Sequence, residues 1–117
     1  MWTYEQATGK LSHDGADVAT GYSGAGDGKN NPADEAIQGV GPIPTGSYTI
    51  GQPYDTTTHG PFVMRLTPAA DNQMDGRSGF LMHGDNATHT ASQGCIIMPR
   101  NVREQVAASG DMDLTVV

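Results

Sequence analysis

The residues best suited to chemistry lie close together late in the chain, as His83-Gly84-Asp85 followed by Ser92-Gln93-Gly94-Cys95-Ile96. Cys95 is the only cysteine. A lone cysteine is most often a small buried hydrophobe, but the neighbours of this one point elsewhere. Gly94 lets the backbone turn sharply and approach a ligand. Amide N–H groups around Gly94 and Cys95 then aim at one spot, as an oxyanion hole requires. His83, twelve positions earlier, reaches the sulfur across one loop. An adjacent imidazolium stabilises thiolate, the nucleophilic form. These residue types predict acyl transfer through a thioester. His83 takes the Cys95 proton and returns it to the leaving amine. Gly84 either orients the imidazole through its carbonyl as a third group or is simply a turn residue, and Ser92 either hydrogen-bonds within the catalytic loop or near the histidine or is an ordinary loop hydroxyl. In papain-like enzymes the cysteine comes first and the histidine much later; here the close His-then-Cys order excludes that group.

Other polar residues carry weaker signals. Asp85 either faces a substrate amine or caps its loop, the second being favoured. His83, His89 and Cys95 are all metal-ligand types, but no fourth ligand has suggestive spacing. No metal and no cofactor are expected. Arg100 and Arg103 flank the start of a helical segment; each suits a carboxylate, and surface salt bridging is the readier role. Spacing at Gly26 and Gly28 does not make a phosphate loop, because GxxxxGK[ST] is absent.

Short elements must position these residues. Met1 to Val18 reads as a hairpin turning at Ala7–Lys10. Thr20 to Pro32 is a Gly/Asn-rich loop without periodicity, of the sort that is usually functional or disordered. One helical turn is expected over Ala33–Ile37. Strands are expected at the end of Gly41–Ile50 and over Phe62–Leu66, Gly79–His83, Cys95–Met98 and Met112–Val117. A helix is expected over Asn101–Ser109, with Asn101 as N-cap and Gly110 as stop. The pattern predicts a single domain over 1–117: mainly β, a compact β-sandwich or partial barrel with one short helix and long loops.

Composition agrees. The 117 residues include 16 Gly and 7 Pro, too many for a helix bundle. Leu, Ile, Val and Phe total only 18, so a large aliphatic core is excluded; six Met, four Tyr and one Trp supply the remaining apolar volume. The net charge of −7 comes mostly from ten scattered Asp. No Lys/Arg run offers a nucleic-acid surface. No stretch approaches the roughly 20 apolar residues of a membrane span. One cysteine permits no intrachain disulfide. The beginning MWTYEQATGK lacks the basic and apolar regions of a signal peptide. The expectation is a protein that works in the cytoplasm or leaves the cell without a cleaved leader.

At the His and Cys motifs the sequence resembles L,D-transpeptidase catalytic domains of the YkuD type, whose signature is His-Gly, a loop, then Ser/Thr-His-Gly-Cys. More closely, it resembles the Tlde1 group of type VI secretion effectors. Five blocks carry the resemblance in order over nearly the whole chain: Gly21–Gly24, Gly28–Pro32, Gly41–Tyr48, Gly79–Asp85 and Ser92–Ile96. Gln93 stands where the broader pattern has His, Ile97 where it often has Arg, and the His-to-Cys loop is shorter. The resemblance implies an L,D-transpeptidase-like fold and an enzyme of peptidoglycan stem peptides. Cys95 would attack the carbonyl at the L-centre of meso-diaminopimelate in a tetrapeptide stem, expelling D-Ala. Water (L,D-carboxypeptidase) or an amine (exchange or cross-linking) would resolve the thioester. Tyr22, Ser23, Lys29, Asn30 and Asn31 would border the substrate, with Lys29 facing a stem carboxylate. The resemblance further implies synthesis in the cytoplasm, delivery by a secretion apparatus or carrier, action in the periplasm of a target cell, and a dedicated immunity protein. Two other functions fit the same scaffold: a phage or bacterial lysis endopeptidase, and an inactive wall-binding module.

Overall fold

Short runs with every second residue apolar become strands whose inner faces meet in one core. A computed structural model describes all residues, 1–117. Its strands are β1 (Trp2–Tyr4), β2 (Lys10–His13), β3 (Ala16–Thr20), β4 (Tyr22–Ser23), β5 (Gly46–Ile50), β6 (Tyr54–Thr56), β7 (Gly60–Pro68), β8 (Leu81–His83), β9 (Ile96–Ile97) and β10 (Asp113–Val116). The one α-helix, α1 (Arg100–Ala108), precedes β10. The chain is thus mainly β with one helix, as expected, built on an open mixed sheet.

The sheet runs in the order β3-β2-β1-β10-β5-β7-β8-β9-β4, with β6 paired on β7. β1 and β10 are parallel, as are β8 and β9; the other pairs are antiparallel. The two ends of this path, β3 and β4, are separated by a single residue, Gly21. Laid flat, nine strands about 4.8 Å apart would set the edges about 38 Å from one another. Two peptide units span no more than about 7 Å between Thr20 and Tyr22. The sheet therefore curls, bringing its two edges together at Gly21 without pairing them. Gly21 is required at that seam, because a Cβ there would fall 1.8 Å from the Ile97 carbonyl oxygen.

Inside the curl lie Trp2, Tyr4, Leu11, Tyr48, Ile50, Met64, Leu66, Met82, Ile96, Leu114 and Val116, every second residue of their strands. Ile43, Phe80 and Met98 join them from the loops, and α1 adds Val102 and Val106. Methionine and aromatic rings fill the volume that aliphatic residues lack. Period-two alternation sends the residues flanking Met82 and Ile96 to the opposite face. That face is also covered: Tyr22, Val63, Leu81 and Ile97 are buried there, as is His83. Burial on both faces explains the nearly continuous apolar runs Phe80–Met82 and Ile96–Met98.

Two local expectations are corrected. Pro99, not Asn101, occupies the helix N-cap, and α1 begins at Arg100. Proline's fixed φ of −59° delivers the chain into the first turn without a side-chain cap. Gly110, at φ +71°, does end the helix, just beyond Ser109. The Thr20–Pro32 segment is structured: it contains β4 and a short 3-10 turn at Gly26–Gly28, and a second such turn, Pro32–Asp34, starts at its last residue.

Candidate active site

Parallel pairing of β8 with β9 sets Met82 beside Ile96 and His83 beside Ile97. Leu81 therefore neighbours Cys95, one residue before β9, and the Leu81 amide N–H donates to Cys95 Sγ at 3.3 Å. The sulfur takes the place of a ladder acceptor. His83 lies two residues further along the same strand. Both His83 and Cys95 line a cleft of about 740 Å³, together with Gly84 and Asp85.

The imidazole of His83 is oriented by its neighbour. Nδ1 lies 2.8 Å from the Gly84 carbonyl oxygen, which accepts only a proton-bearing nitrogen. That bond assigns the hydrogen to Nδ1 and leaves a lone pair on Nε2. Nε2 is buried and has no partner in the chain. A buried polar atom without a partner is costly, and here it is the atom a general base needs.

Electrostatics correct one expectation. Burial pushes the Cys95 thiol above its ordinary value, although the Leu81 N–H and Arg77 both pull it down. Burial likewise holds His83 below its ordinary value, against the Gly84 hydrogen bond; His59 and Arg103 lower it further, and Asp85 opposes them. Both directions favour a neutral thiol and a neutral imidazole over the thiolate–imidazolium pair expected. Low local polarity disfavours both charges.

The Ser92–Cys95 turn is clamped by one hydroxyl. Ser92 Oγ accepts from the Gly24 and Gly94 N–H groups, at 2.9 and 3.0 Å, and donates to the Cys95 carbonyl at 2.6 Å. Ser92 thus acts within the catalytic loop, one of the roles expected. The Gly94 N–H is consumed by this clamp and is not an oxyanion donor, contrary to expectation. The Cys95 N–H makes no hydrogen bond within the chain and remains available. Gly94 itself has φ +135°, a region suited to glycine alone.

The five residues of the glycine-rich segment do not line the cleft. They brace it from behind. Ser23 Oγ donates to the Gly94 carbonyl and accepts from Ile43 N–H, both at 2.8 Å. Asn30 Oδ1 accepts from Ser23 N–H, and Asn31 caps the Pro32–Asp34 turn through Ala33 N–H. Lys29 lies over the Tyr22 ring and donates to the His89 carbonyl at 2.7 Å. Tyr22 donates its hydroxyl to Asp85 Oδ1 at 2.5 Å and accepts from Ala91 N–H. Asp85 Oδ2 meets His89 Nδ1 at 2.6 Å, while Asn86 N–H donates to Oδ1. Both Asp85 oxygens are thus engaged in capping the 84–91 loop, although the residue borders the cleft.

Arg100 pairs with Glu104 at 3.4 Å on the surface. Arg103 does neither thing expected of it. It is buried, and donates to the carbonyls of Met98, Pro61 and Phe62. The one cluster of metal-ligand types is His13, Asp14 and Asp111, far in sequence from the cleft residues. The Met1 ammonium bonds both of those carboxylates, at 2.7 and 2.5 Å.

Two cleft residues escape sequence reasoning. Arg77 is buried and donates to four carbonyls, those of Glu35, Pro42, Gly41 and Gln93. It joins the loop before β5 to the loop before Cys95, and its charge favours the Cys95 thiolate. Only its position between two glycines, Gly76 and Gly79, hints at such a fold-back. His59 stands on the β6–β7 turn with its ring 4.8 Å from that of His83. Finding it required recognising β6, which is short and mostly exposed.

A family model described as the Tlde1 domain matches residues 17–115. No curated protein matches the chain.

Proposed function

The chain belongs to the Tlde1 domain family of type VI secretion effectors, and we propose that it is a cysteine enzyme of peptidoglycan tetrapeptide stems, with the whole chain as one catalytic unit. Cys95 is the nucleophile and His83 the general base. The observation that supports this reading is that one cleft is lined both by a thiol and by an imidazole whose Nδ1 is locked and whose Nε2 has no partner. The cleft is lined mainly by glycines and polar side chains, which suits a peptide better than an apolar small molecule.

The reaction begins with both groups neutral. Rotation of the Cys95 side chain off the Leu81 N–H brings its proton to His83 Nε2 as sulfur attacks the carbonyl at the L-centre of meso-diaminopimelate. The Cys95 N–H supports the developing oxyanion. The bond from that carbonyl carbon to the D-Ala nitrogen breaks, and His83 gives the proton to the departing amine. The thioester then passes its acyl group to water, yielding a tripeptide stem and the free thiol, or to the amine of a D-amino acid. In a periplasm, trimming or capping donor stems would deprive the wall of cross-links. Synthesis in the cytoplasm of the producing cell, export by a secretion apparatus or carrier, and an immunity protein that blocks the cleft complete the reading.

The test is mass spectrometry of purified muropeptides incubated with the protein, with and without added D-amino acid. Loss of D-Ala, or its replacement, supports the reading. Cleavage within stems or cross-links would identify a lysis endopeptidase instead. Unchanged muropeptides that nonetheless retain the protein would identify a wall-binding module.

A further inference from the structure

Packed against His83 in the same cleft is a second histidine to which nothing so far assigns a role. His59 and His83 have ring centroids 4.8 Å apart and planes inclined by 56°. His59 is held there by its own turn. Thr56 Oγ1 accepts from the His59 N–H at 2.9 Å and donates to the Gly60 carbonyl at 3.0 Å. Thr58 Oγ1 shares a hydrogen bond with His59 Nδ1 at 2.9 Å. Backbone and ring are each fixed by a threonine hydroxyl.

The base of this hairpin is fixed as well. Phe62, at φ +55°, has a conformation that aromatic residues rarely adopt. Arg103 bonds its carbonyl and that of Pro61, and Asp55 accepts its N–H. Arg103 also lies behind Gly84: a Cβ on that glycine would come within 2.8 Å of Nη2. One arginine therefore braces both supports of His83, the carbonyl on its Nδ1 and the hairpin that carries His59.

We infer that His59 is a positioning residue for His83: its ring, held by the Thr58 hydroxyl on a backbone held by that of Thr56, covers the base imidazole, keeps water from it and limits its rotation about the Gly84 hydrogen bond. The inference rests on the general-base role proposed for His83. Both His59 and His83 line the cleft, so the cover lies on the side from which solvent enters. The titratable and charged groups that act on His83 are His59 from the hairpin, Arg103 from α1 and Asp85 from the following loop, and Cys95 lines the same cleft. Among these, a charge on His59 or Arg103 opposes one on His83, and Asp85 favours it. His59 is thus both cover and electrostatic neighbour.

The test compares the full chain with His59→Ala and His59→Phe, recording the His83 ring titration by NMR and kcat and KM on a tetrapeptide muropeptide. In His59→Ala, the His83 midpoint is expected to rise by about half a pH unit or more as water reaches the ring. There kcat should fall about tenfold, with KM within about threefold. His59→Phe, which restores a ring without a titrating nitrogen, should recover kcat to within about threefold of the parent. An unmoved His83 titration in His59→Ala overturns the inference. A loss confined to KM also overturns it, marking His59 as a substrate contact, as does an equal kcat loss in both variants. The titration needs no substrate. A shifted His83 in a protein inert towards stems would uphold the His59 contact and defeat the proposed activity instead.

Discussion

Gly94 and Arg77 are in contact such that no side chain fits between them: a Cβ on Gly94 would lie 2.5 Å from Arg77 Nη2 and 2.9 Å from the Phe80 ring. The turn bearing Cys95 is thereby pressed onto a buried guanidinium. Gly94→Ala must both leave a glycine-only conformation and displace the arginine. It should lose about 2–5 kcal/mol of stability, read by chemical denaturation, and lose turnover even where it remains folded.

Arg77→Met keeps length and removes the donors, leaving four carbonyls without their partner. Destabilisation of about 3 kcal/mol is expected. The surviving folded protein should also show its Cys95 alkylation profile displaced to higher pH, because the cation that favours thiolate is gone. An unmoved profile would show that Arg77 serves the scaffold alone.

Cys95 should react slowly with iodoacetamide at neutral pH in the free protein and faster as pH rises, since burial raises its thiol. This reverses the rapid neutral labelling that a preformed ion pair would give. Fast labelling at pH 7 would refute the neutral resting pair.

His83 links stability to acidity. Its folded value lies below the unfolded 6.5. As pH falls below about 6.5, the unfolded chain binds a proton that the folded one refuses, and stability is lost through that window. Above it the full contribution is present. Thermal unfolding from pH 8 to 5 should show this slope, and His83→Gln should flatten it.

Directed to the periplasm, the parent should arrest growth, whereas Cys95→Ala and His83→Ala should not. Each should lower turnover of stems by about 10³-fold or more. Cytoplasmic expression should be harmless, because the substrate lies beyond the inner membrane; arrest there would indicate a different target.

The sequence made the strands of β5, β7, β8, β9 and β10 legible, because each carries a period-two pattern or a dense apolar run. It also singled out Cys95, His83 and Gly84, which the fold brings to one cleft, and Ser92, which ties the turn beside it, because a glycine-flanked thiol and a nearby histidine stand out locally. The curling of the sheet at Gly21 was not legible, since β3 and β4 show little alternation and their partners lie far away in the chain. Asn101 misled because a good capping side chain stood one residue beyond the proline that starts the helix. Arg77, Arg103 and His59 were hidden or misread for one reason. Their roles arise from carbonyls and rings brought together by tertiary folding, and a charged residue in isolation reads as surface.

The one-residue join between the sheet's outermost strands has a kinetic consequence. β9, which leads out of Cys95, is flanked on its outer side only by β4, and β4 is supplied by the segment that has just finished the opposite margin. Hairpins can form early from neighbouring stretches, but joining β4 to β9 sets Tyr22 beside Ile97, and only the pairing of β1 with β10 closes a longer loop. The turn that carries Cys95 is completed only when such distant segments have come together. Refolding should therefore restore native spectroscopic signals of the hairpins before it restores activity.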